Sequence, residues 1–171
     1  MSILKVNTIQ DKGGNNLLVS DGAGTISSGG LMTNTPAFSA ELSSAQSLAT
    51  GTNVTMICDS ELIDTDSGYN TSTGAYTIPT GKGGVYFFHC YVRLDTGSDS
   101  DRLSPAIRVN GGIVATTNSR QNEEDSCYVT KIHTCSVGDV ISWTVFHNVG
   151  STVNTKAESH SGFMGFRLIG A

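Results

Sequence analysis

The sequence predicts an all-β domain, and three observations carry that expectation. The 171 residues include 20 Gly and abundant Ser, Thr and Asn, while charged residues make up only 15%; short strands need many Gly- and Asn-rich turns. Apolar runs of strand length recur from Pro36 onward at the spacing of a sandwich or barrel. No segment sustains a 3.6-residue period, and SAELSSAQSLA, from Ser39 to Ala49, is the one weak helical candidate. The length suits a single domain with a sizeable core plus a short appendage.

Residues 1–30 form that appendage. Leu4, Val6 and Ile9 alternate, DKGGNN makes a turn, and Leu17, Leu18 and Val19 give a second apolar piece, as in one β-hairpin or two isolated strands. The stretch SDGAGTISSGG, from Ser20 to Gly30, reads as linker or tight-turn chemistry. A solvated tail needs no apolar residues, so Leu4, Val6, Ile9, Leu17 and Val19 favour an arm that orders on a partner surface over a disordered tail.

Residues 31–171 form the main domain. PAFSAEL gives its first strand and TNVTMICD, from Thr52 to Asp59, its second; a polar loop, TDSGYNTSTG, follows. GAYTIPTGKGGVYFFHCYV, from Gly74 to Val92, is an apolar strand, a Pro- and Gly-rich turn and a second strand. In that second strand Tyr86, Phe88, Cys90 and Val92 make one face, and Val85, Phe87, His89 and Tyr91 the other. Both faces are apolar, so both should be covered. With almost no helix in the chain, a partner subunit is the leading cover for the second face. PAIRVNGGIVAT, from Pro105 to Thr116, is a hairpin around Asn110-Gly111, a pair that favours tight hairpin turns. Cys127 to Cys135 is the next strand, and Val137, Gly138 and Asp139 turn the chain into Val140 to His147, where Ile141, Trp143 and Val145 share one face. The last strand, Gly162 to Ile169, is apolar on both faces apart from Arg167. Tyr86, Phe88, Ile141, Trp143, Val145 and Phe163 are the expected core.

Charge and composition exclude several classes. Net charge is −5, the isoelectric point is near 5.2, and no Lys or Arg run occurs, which argues against nucleic acid as a partner. No apolar run approaches the roughly 18–20 residues of a spanning helix, so no membrane insertion is expected. The N-terminus turns polar after four residues and lacks the apolar region of a secretory signal. Cys58, Cys90, Cys127 and Cys135 are accordingly expected as free, buried thiols, with a disulfide as the alternative.

The pattern Tyr69-Asn70, Gly74, Tyr76, Pro79, Gly84-x-Tyr86-x-Phe88, Val109-Asn110-Gly111, Gly138-Asp139 and Phe163-x-Gly165 resembles the globular head of complement component one-q and its tumour necrosis factor-like relatives. The resemblance covers roughly residues 36 to 171. It implies a jelly-roll β-sandwich assembling as a homotrimer, with Val85, Phe87, His89 and Tyr91 towards the threefold axis. Cys90, His133, Cys135 and Arg167 depart from the family's usual residues and affect core packing and subunit contact. The N-terminal piece, LKVNTIQDKGGNNLLVSDGAGTISS, resembles the short leader on many bacteriophage virion proteins. The two resemblances together imply a trimeric head decoration or head-fibre protein held on the particle by its arm, through a capsid or tail subunit, and assembled in the cytoplasm of the bacterial host. The competing reading is a short tail-fibre tip or receptor-binding protein that recognises a host surface glycan.

Other candidate sites are sparse. His133 and Cys135 lie two apart on one strand, but two ligands do not complete a tetrahedral site, and no CxxC or HxxxH accompanies them, so no metal or other cofactor is expected. The acidic loops around Asp95, Asp99 and Asp101 and around Glu123 and Glu124 lack calcium-loop spacing. They are the candidate host-contact residues, because polar loops on a rigid scaffold are where recognition commonly sits. No nucleophile elbow, phosphate loop or HExxH occurs, and no catalytic residue is assigned.

Overall fold

The structure, a computed structural model, describes residues 7–20, 22–23, 26–28, 36–95, 100–121 and 126–168. The chain divides into two compact units, residues 1–34 and 35–171.

The first unit is a three-stranded antiparallel sheet of β1 (Thr8–Gln10), β2 (Asn16–Ser20) and β3 (Ile26–Ser28), in that order. Asp11 closes the first turn: its Oδ1 accepts from the backbone N–H groups of Gly13 and Asn15, at 2.8 and 2.9 Å. Part of the stretch expected as linker is therefore strand, because Ile26–Ser28 pairs with β2. Ile9 is 45% exposed, and Leu17 and Val19 are partly buried. Leu4 and Val6 lie outside the described residues.

The second unit is a sandwich of two antiparallel sheets. In chain order its strands are β4 (Ala37–Leu42), β5 (Ser47–Leu48), β6 (Val54–Thr55), β7 (Ser60–Asp64), β8 (Tyr69–Asn70), β9 (Ala75–Thr77) and β10 (Gly84–Asp95). They continue as β11 (Ser100–Val109), β12 (Gly112–Thr116), β13 (Ser119–Gln121), β14 (Ser126–Cys135), β15 (Val140–His147), β16 (Val153–Thr155) and β17 (Glu158–Arg167). One sheet runs β7-β4-β17-β10, with β14 also on β10 and with β16 and β5 continuing from the far end of β10. The other runs β12-β11-β15-β9-β8, with β13 on β11 and β6 on β15. Successive long strands alternate between the sheets, so most pairings are distant in sequence, as jelly-roll winding requires.

The helical candidate Ser39 to Ala49 holds no helix: its first residues lie in β4, which alternates partly buried and buried residues and places Phe38, Ala40 and Leu42 in the core, and Ser47–Leu48 form β5, so a period of two overrides the helix propensity of Ala, Glu and Leu. The strand expected from Thr52 to Asp59 is only Val54–Thr55. Beyond it Met56 N–H still donates to Trp143 O at 3.1 Å, and Met56 and Cys58 fill the core without a ladder. At the other end of the chain, the last strand begins earlier than expected, at Glu158.

The core is aromatic. Tyr86, Phe88, Ile141, Trp143, Val145 and Phe163 are all fully buried. Phe38 stacks on Tyr76 with ring centroids 4.2 Å apart and meets Phe163 edge-on at 4.9 Å. Gly165 makes this packing possible. It stands between Phe38 on β4 and Phe88 on β10 in one cross-strand row, and a Cβ there would lie 2.5 Å from Phe88 Cδ1 and 2.8 Å from Phe38 Cε1. The Asn110-Gly111 hairpin forms as expected, with φ of 50° and 81° at its two central residues. All four cysteines are free and buried; burial pushes the Cys58 thiol up to about 12 and the Cys135 thiol up to about 11, so both stay protonated. His133 and Arg167 flank Tyr86 in one row at the end of the sandwich, where partly buried polar residues close the core.

Candidate functional site: an uncovered sheet face

β10 alternates buried and partly buried residues along nearly its whole length. Its buried set faces the core, and its other set, Val85, Phe87, His89, Tyr91 and Arg93, points away from the second sheet. Because directly opposed residues in an antiparallel ladder share a face, the register extends this line across the sheet. Phe87 lies between Phe166 on β17 and Ile132 on β14; His89 lies between Met164 and Thr130; Tyr91 lies between Gly162 and Tyr128. Further out, Ser39 on β4 stands opposite Ile63 on β7.

The result is a broad apolar face that nothing in the described residues of the second unit covers. Tyr128 is 63%, Ile132 59% and Ile63 52% exposed. Rings pack laterally within the face: Phe87 on Phe166 at 5.2 Å, and His89 between Tyr91 at 5.6 Å and Tyr128 at 5.9 Å. Among the described residues of the face, charge enters near one end, with Glu41 and Arg93. Tyr91 lies over Gly162, where a Cβ would be 2.6 Å from its hydroxyl oxygen, and that hydroxyl donates to Glu41 Oε1 at 3.4 Å. Desolvation by the surrounding rings lowers the pKa of His89 and favours its neutral form.

The outward face of the other sheet is built differently. There Arg108 Nε donates to Thr144 Oγ1 at 3.1 Å, and the Arg102 guanidinium lies over the Phe146 ring at 4.6 Å. Its aromatic residue is thus capped by a cation from its own chain, whereas among the described residues no cation stacks on the rings around His89. A single domain seldom exposes a contiguous apolar surface of this kind unless something binds it.

The residues expected at a subunit contact, Val85, Phe87, His89 and Tyr91, all lie on the uncovered face and are partly buried. Tyr128, Ile132, Met164 and Phe166 share it. They were missed because which residues of β14 and β17 join this face depends on pairing register, although the double-sided apolar pattern of the last strand was a visible signal. Of the expected host-contact residues, Asp95 alone has a described side chain. Asp95 is exposed and pairs with Lys156 Nζ at 2.6 Å; Asp99, Glu123 and Glu124, and the side chain of Asp101, lie outside the described residues. Among the described residues no three His, Cys, Asp or Glu side chains of one chain are placed to hold a metal ion, and His133 and Cys135 gain no third ligand. A polar hollow of about 500 Å³ lies elsewhere, lined by Ser67, Gly68, Tyr69, Asn70, Thr71, Thr77 and Pro79.

No protein-family model and no curated protein matches the sequence. Among solved structures, the chain is similar to the globular domain of zebrafish complement 1qA protein, at 19% identity and a TM-score of 0.54, over 78% of this chain and 98% of that one. It is similar to the PRD1 vertex protein P5 at 13% identity and a TM-score of 0.63, over 80% and 99%. It is also similar to the Eiger TNF from S. frugiperda at 12% identity and a TM-score of 0.60, over 79% and 93%. With no helix in its described residues and two packed antiparallel sheets, the domain is a jelly-roll β-sandwich of the complement one-q and tumour necrosis factor-like kind.

Proposed function

We propose that this chain is a non-enzymatic structural component of a bacteriophage particle. It is a homotrimeric head decoration or head-fibre protein, carried on a capsid or tail subunit by its N-terminal unit and assembled in the cytoplasm of the bacterial host. The observation that carries the reading is the uncovered apolar face centred on β10. Both lateral edges of that face bear exposed large apolar side chains, Leu62 and Ile63 on β7 and Tyr128 and Ile132 on β14. A cyclic assembly in which the β7 edge of one subunit meets the β14 edge of the next uses both edges and leaves none open.

Attachment to a particle rests on the first unit. Three strands of three to five residues do not make a stable domain, so that sheet needs a surface to fold against. The likeness to a vertex protein supports a particle component. The test is a cryo-electron microscopy map of the intact particle, with threefold density for the head on the capsid as the expected result; density at the tail tip instead would favour receptor binding. A second reading, recognition of a neutral host glycan, is favoured by the hydroxyl- and amide-lined hollow beside Asn70. Loss of glycan-array binding on Asn70→Ala would support it.

A further inference from the structure

We propose that the three His89 imidazoles of the assembled protein form a transition-metal site on the threefold axis, a three-nitrogen set suited to zinc or a similar divalent cation. The inference rests on the trimer proposed above and goes beyond it. His89 occupies the middle of the line Val85, Phe87, His89, Tyr91 on β10, so an axis running along that strand stacks these residues of three copies in successive layers. His89 is the one residue of that line that binds metals readily.

Its surroundings make the site specific. The ring is walled by Tyr91 and Tyr128, with Met164 across one ladder and Thr130 across the other. Neither ring nitrogen has a hydrogen-bond partner among the described residues. Water satisfies those nitrogens while the face is open. Covering the face removes that water, and a buried polar group left without a partner is costly. The groups that a threefold arrangement brings to the same layer are the other two imidazoles. Each neutral imidazole offers one lone pair, and a divalent cation accepts all three at once, with a water in the fourth position. Thr130 stands directly opposite His89 across the ladder, where a hydroxyl accepting the remaining ring N–H would hold the tautomer. The charged members of the face, Glu41 and Arg93, lie outside this layer, and the chain's net charge of −5 suits a bound dication.

The experiment uses the full chain, stripped with a chelator and titrated with cobalt(II), reading the visible d–d bands of a near-tetrahedral site, with dialysis for stoichiometry and light scattering on the same sample. The expected result is one cobalt per three chains, displaced by zinc, abolished in His89→Gln and retained in His133→Gln. A protein that scatters as a trimer yet binds no cobalt, binds one per chain, or binds equally in His89→Gln overturns the metal site and leaves the trimer standing. A protein that scatters as a monomer overturns both.

Discussion

Replacing Ile132 with Asp separates assembly from folding, and the structure sets the size of the effect. Ile132 is 59% exposed on β14, and its side chain projects from the uncovered face opposite Phe87. In a lone chain the substitution touches no core residue, and surface changes of this kind cost within about 0.5 kcal/mol. In the proposed trimer the remaining exposed part of the side chain becomes buried. Full burial of an Ile is worth about 1.5–3 kcal/mol, so the interface share is about 1–2 kcal/mol per copy and about 3–6 kcal/mol for three. Burying three carboxylates beside apolar rings adds to that loss. The association constant for trimer formation should therefore fall by at least about a hundredfold. Light scattering over a dilution series reads it directly: the unaltered protein holds a mass of three times 17.9 kDa, about 54 kDa, and Ile132→Asp falls towards a single chain with its β-sheet circular dichroism intact. A variant that remains trimeric at the same concentrations refutes the assignment of this face as the interface.

Other outcomes follow from the same geometry. Phe88→Asp places a carboxylate in the fully buried aromatic core and should abolish folding, seen as loss of soluble protein. Gly165→Ala puts a Cβ 2.5 Å from Phe88 Cδ1 and 3.0 Å from Phe87 O, and should cost about 1–3 kcal/mol, measured as a lowered midpoint in denaturant with unchanged slope. His89 has its pKa lowered from 6.5 by burial within the folded chain, so the unfolded chain binds the proton more readily. The stabilisation is present above that value and is lost as pH falls through the lower folded value; the denaturation midpoint should drop on acidification, and His89→Gln should flatten the profile. Removing residues 1–34 should leave a soluble trimer that no longer joins particles, scored by particle composition after a complementation infection.

Much of the fold was legible because strands announce themselves locally. The alternation of Ile141, Trp143 and Val145 identifies a half-buried strand without reference to anything else, and Asn110-Gly111 names its own turn through the positive φ that both residues tolerate. The short strands were less legible. β6 stops at Thr55 although Met56 and Cys58 continue the apolar pattern, because an isolated backbone hydrogen bond and core burial need no ladder there. β3 is three residues of Ser-rich chain whose only strand signal is the neighbour it pairs with.

The alternation of residues along β10 already shows that it has two apolar faces and that one of them needs a cover from outside the core. It also shows which four residues, Val85, Phe87, His89 and Tyr91, make up that face. The breadth of the surface depends on long-range pairing, because the register of β10 against β14 and β17 sets which of their residues join it. A slip of one residue would exchange Ile132 and Tyr128 for Lys131 and Val129. Register is a long-range property, resolved by packing Phe38, Gly165 and Phe88 into one row, and no local pattern encodes it.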